Sequence, residues 1–87
     1  SMAPTDQQPI ALVVDDERMV RTALSRVLRR IGLEPREFSN GADALAMLEA
    51  GVEVAVVLLD LTMPGQDGHE VLAKIRQTHP ALPVVLC

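Results

Sequence analysis

At 87 residues the chain is at most one small domain, which excludes a second catalytic domain. Apolar residues make up 48% of it and charged residues 23%, a balance that favours a packed core over disorder. A net charge of −4, with Phe38 as the one aromatic residue, argues against nucleic-acid binding and base stacking by this segment. The lone Cys87 excludes an internal disulfide framework. No secretory signal is evident, and no apolar run approaches the about 20 residues a membrane helix needs, so a cytoplasmic protein is expected.

Ser1-Met2 reads as a cloning scar and Ala3 to Gln8 as a disordered lead-in, which places the folded part over residues 10–87. Ile10 to Val14 is a continuous apolar run that stops at Asp15-Asp16-Glu17. Unbroken apolarity predicts a strand covered on both faces, as in parallel sheets. From Arg18 to Ile31 the period becomes helical, with Val20, Leu24, Val27, Leu28 and Ile31 inward. Five arginines lie between Arg18 and Arg30, and they read as the solvated face of that helix. Gly32 supplies a left-handed cap.

Glu34 to Phe38 suits a second strand, and Pro35 confines it to a sheet edge. Ser39-Asn40-Gly41 offers N-cap chemistry for a helix from about Ala42 to Ala50, ended by Gly51. Val54 to Leu59 is the most apolar run and predicts a central strand that stops at Asp60. Pro64-Gly65 marks a turn, with Met63 expected in the core. A third helix follows from roughly Asp67 to Thr78, with Val71, Leu72 and Ile75 inward and His79-Pro80 closing it. Residues 83–87 begin a fourth strand. The order β-α-β-α-β-α-β implies a parallel α/β sheet with right-handed crossovers.

Asp15, Asp16 and Asp60 follow two apolar strands. If the first strand lies between the second and third, these acids converge in the crevice at the carboxyl ends of the strands. Crowded carboxylates repel unless a cation intervenes, and an all-oxygen donor set suits Mg²⁺ rather than zinc. Each acid taken alone has a plainer reading as a helix cap or a turn residue. The pairing at matching strand ends favours a site. His69 and His79 are expected at the surface, without a metal or relay role.

Leu12 to Glu17 resembles the opening acidic motif of the CheY-like receiver domains of bacterial response regulators, and Leu58 to Gly68 resembles their phosphorylation motif. The similarity runs from Ile10 to Cys87. It implies a flavodoxin-like doubly wound parallel sheet of order 2-1-3-4, incomplete after the fourth strand. It also implies a two-component signalling role, not a turnover enzyme, in which Asp60 accepts a phosphoryl group from a phosphohistidine donor with Mg²⁺. The resemblance assigns Asp16 to the metal directly and Asp15 mostly through water. It further assigns Asp60 and the Thr62 backbone carbonyl to the metal, and a tuning role to the Thr62 side chain. The partner it implies is a sensor histidine kinase or a histidine phosphotransfer protein.

Receivers place a Ser or Thr directly after the fourth strand and a Lys at the end of the fifth, and neither lies within the 87 residues. Slow phosphoryl transfer and an open sheet edge are therefore expected. That edge would be completed by a longer chain or by a second copy, including by exchange of elements. Two other readings stand beside the receiver: a pseudo-receiver that is an interaction module and is never phosphorylated, and an aspartyl-phosphate hydrolase of the haloacid-dehalogenase type. The hydrolase is weakened because Thr62 stands where it needs a second acid.

Overall fold

The computed structural model describes residues 7–87, so the expected scar at Ser1-Met2 and the lead-in up to Asp6 lie outside the described residues. The elements are β1 (Ile10–Val14), α1 (Arg18–Arg30), β2 (Glu34–Phe38), α2 (Gly41–Glu49), β3 (Val56–Leu59), α3 (Gly68–Thr78) and β4 (Val84–Leu86). All strand pairs are parallel, and the sheet order is β2-β1-β3-β4. β1 therefore lies between β2 and β3, as convergence of the acids requires. β2 is an edge, consistent with the missing N–H of Pro35.

Side chains alternate across the sheet, so β1 and β3 feed two unequal cores. Leu12, Val14, Val57 and Leu59 join Ala44, Leu48, Met63, Val71, Ile75 and Leu82 under α2 and α3. On the other face Ala11 and Val13 meet only Leu28 among fully buried residues, with Leu24, Leu33, Val56 and Leu58 packed around them. Burial on that side is thin. Val56 and Leu58 are half-buried, although the apolar run at residues 54–59 predicts burial on both faces.

Helix α1 also departs from expectation. Leu28 is buried, but Val27 and Ile31 are 55% and 68% exposed. The residue that turns fully inward is Ser25, at 0% exposure. Apolar spacing marks a stripe but not how much of it its neighbours cover, and among the described residues nothing buries Val27 or Ile31. The arginines divide as well. Arg18, Arg26, Arg29 and Arg30 are exposed as expected, whereas the Arg21 side chain is 16% exposed and bonded, which corrects its reading as part of a solvated face.

Helix ends follow their local chemistry. Asn40 caps α2 through Oδ1, which accepts from Asp43 N at 2.9 Å. Asp67 caps α3 rather than starting it, with Oδ1 accepting from His69 N and Glu70 N at 3.0 and 3.2 Å. Gly32 ends α1 at φ 90°, where a side chain would be strained.

Candidate functional site

The carboxyl ends of β1 and β3 are fixed by ladder bonds that continue past the strands. Asp15 N donates to the Phe38 carbonyl at 3.0 Å, Asp60 N to that of Val14 at 3.0 Å, and Cys87 N to that of Leu59 at 2.9 Å. These bonds bring one carboxylate oxygen each of Asp15, Asp16 and Asp60 within 4.8 Å of one another. Asp15 and Asp60 are 5% and 9% exposed, and Asp16 is exposed. Two buried unit charges at that separation repel by about 3.5 kcal/mol at an effective dielectric near 20. Such an arrangement is held most easily around a cation.

Each buried acid is oriented by its own backbone. Asp15 Oδ1 accepts from Glu17 N at 2.8 Å. Asp60 Oδ1 accepts twice from Thr62, from N at 2.8 Å and from Oγ1 at 2.7 Å. The Thr62 hydroxyl is thus fastened to the acid itself, a contact that sequence alone does not announce. The carboxylate of Asp16 has no hydrogen-bond partner among the described residues. An all-oxygen set open on one side matches Mg²⁺, which keeps part of its water shell. Neither His69 nor His79 belongs to the cluster.

The loop after β3 is fixed by a turn, a close backbone approach and a tie to α2. Gly65 takes φ 73° in the Pro64-Gly65 turn. Gly68 lies so close to Leu61 that a Cβ there would stand 2.6 Å from the Leu61 Cα. Met63 is 2% exposed and anchors the loop in the core, as expected. Gln66 Oε1 accepts from Gly41 N at 2.8 Å, which ties the loop to the start of α2. At the end of β4, the Cys87 thiol is raised above its ordinary value by desolvation and by the nearby charges of Asp15 and Asp60.

A parallel sheet with three acids at the carboxyl ends of neighbouring strands defines the receiver class of α/β domains. Residues 11–87 match the family model for the response regulator receiver domain, and the chain belongs to that family of two-component signalling domains. It is 44% identical over 80 residues to the DNA-binding transcriptional regulator NtrC of Escherichia coli strain K12, covering 92% of this chain and 17% of that protein. It is 37% identical over 75 residues to the sensor kinase CckA of Brucella abortus, covering 85% of this chain and 8% of the kinase. The response regulator TrrA of Thermotoga maritima, solved in complex with Mg²⁺ and BeF, superposes with a TM-score of 0.82 at 35% identity. That match covers 90% of this chain and 67% of TrrA. The chain therefore spans a small part of the curated relatives it matches.

Proposed function

We propose that Asp60 accepts a phosphoryl group from a phosphohistidine on a sensor histidine kinase or a histidine phosphotransfer protein. An Asp60 carboxylate oxygen bonds to phosphorus as the phosphorus–nitrogen bond of the donor breaks, and the electron pair stays on the imidazole. Thr62 engages Oδ1 with both of its donors, which leaves Oδ2 as the oxygen for attack. Asp15, Asp16, Asp60 and the Thr62 backbone carbonyl are the residues that would hold Mg²⁺. When bound, the ion supplies positive charge to the oxygens of the transferring group. The convergence of three carboxylates within 4.8 Å carries this reading. The Mg²⁺–BeF complex of TrrA supports it.

The domain in this reading catalyses only its own phosphorylation and dephosphorylation, and a kinase partner goes with a cytoplasmic location. Helix α1 starts two residues after Asp16 and borders the site, so the donor docks against it. Among the described residues no helix is long and apolar enough to cross a membrane.

Intact-protein mass after incubation with Mg²⁺ and acetyl phosphate tests the assignment. The parent should gain one phosphoryl group, and Asp60→Asn should gain none. A folded parent that gains nothing would favour the pseudo-receiver instead.

A further inference from the structure

Asp16 is the weakest-held member of the acid cluster. Its carboxylate is exposed and has no hydrogen-bond partner among the described residues, so its place depends on the backbone that delivers it. That backbone is the Asp15–Asp16 peptide. Its carbonyl, the Asp15 oxygen, accepts from Arg21 Nη1 at 2.9 Å.

Arg21 is itself fastened. Its Nε lies 3.5 Å from Glu37 Oε1, and its side chain is only 16% exposed. Glu37 is on β2, one residue before the Phe38 whose carbonyl receives Asp15 N. The other oxygen of Glu37 accepts from Ser25 Oγ at 2.9 Å, and Ser25 is fully buried under α1. A buried hydroxyl beneath a helix demands a partner, and the Glu37 carboxylate supplies it. The chain of contacts thus runs from the core through Ser25, Glu37 and Arg21 to the peptide that sets Asp16.

We infer that Arg21 is a positioning residue for the acidic pair, clamping the peptide from which Asp16 departs and held in turn by Glu37 and Ser25. The inference rests on the metal-assisted reading of the site. Partners behind the ligands of a metal site typically change affinity 10–100-fold when lost. The planar fork of a guanidinium holds two acceptors at fixed angles, which an ammonium does not.

Charge and position make opposite predictions here, which gives the test its sign. Removing a cation beside three carboxylates should strengthen Mg²⁺ binding if charge alone matters. Removing a clamp should weaken it. Titration calorimetry with MgCl₂ alone would compare the parent with Arg21→Ala, Arg21→Lys and Arg36→Ala, each checked for folding by circular dichroism. Arg36 is exposed and pairs with Glu34, so its loss makes the same charge change away from the clamp.

We expect Arg21→Ala to bind Mg²⁺ about 10-fold more weakly, Arg21→Lys to fall between it and the parent, and Arg36→Ala to match the parent. Equal or tighter binding by Arg21→Ala overturns the inference. If Arg21→Ala does not fold, parent-like affinity in Arg21→Lys overturns it. Amide NMR spectra without metal give a separate readout, in which loss of the clamp displaces the Asp16 amide while core amides such as Ile75 stay in place. A parent that takes up no Mg²⁺ sinks the metal reading. An unmoved Asp16 amide sinks the clamp.

Discussion

Cys87 follows β4, and its amide is bonded to Leu59, the residue just before Asp60. Desolvation and the charges of Asp15 and Asp60 push its thiol upward. The folded state therefore binds the thiol proton more tightly than the unfolded chain. Its effect on stability is absent below the ordinary thiol range, and stability falls as pH rises through that range towards the folded value. Thiol modification followed against pH should show a midpoint above that of a free cysteine run alongside, and unfolding in urea should restore the ordinary midpoint. Coincident midpoints would contradict the placement of Cys87 beside the acids. At this scale the sequence was partly legible. Asp15, Asp16 and Asp60 stand at abrupt ends of apolar runs, a signal that needs no coordinates. Ser25 and Arg21 gave none, because a serine and an arginine within a helix look like solvated residues until a carboxylate from another strand reaches them. The two hydrogen bonds that Thr62 donates to Asp60 were hidden for a related reason, since the turn that brings its amide and hydroxyl onto one oxygen is set by backbone torsions.

The helices and strands were read more completely than their faces. β1 and β2 fall where the apolar run and the Pro35 edge signal place them, and Asn40 caps α2 as its neighbours suggest. β3 starts at Val56 rather than Val54 because its ladder with β1 begins at Ala11, opposite Val56. Periodicity points Val27 and Ile31 of α1 inward, yet both are exposed, because periodicity cannot report which neighbours cover a stripe. Two substitutions separate capping from core packing. Asp67→Ala removes the acceptor for His69 N and Glu70 N and should cost about 1 kcal/mol. Leu59→Ala opens the core beneath α2 and α3 at a residue with 0% exposure and should cost about 2–5 kcal/mol. Urea denaturation would rank them, and an equal loss for both would contradict the burial of Leu59 in that core.

At the scale of the whole molecule the two sheet edges are treated differently. β2 carries Glu34, Pro35, Arg36 and Glu37, charged and proline residues that discourage pairing. β4 carries Val84, Val85 and Leu86, of which Val85 and Leu86 are 49% and 50% exposed. The apolar exposure of β4 belongs to the stretch described here, since the match covers 67% of TrrA and 17% of NtrC. Alternation of strands and helices made the parallel sheet legible, but the order of its strands followed only from the resemblance to receivers, and the unequal cover of the two faces depends on tertiary packing. The bond from Gly41 N to Gln66 carries a consequence of another kind. Four residues after Thr62 the loop that follows β3 holds the first residue of α2, so a shift of either element is felt by the other. Any displacement of the loop must either carry the start of α2 with it or leave the Gly41 amide without its acceptor.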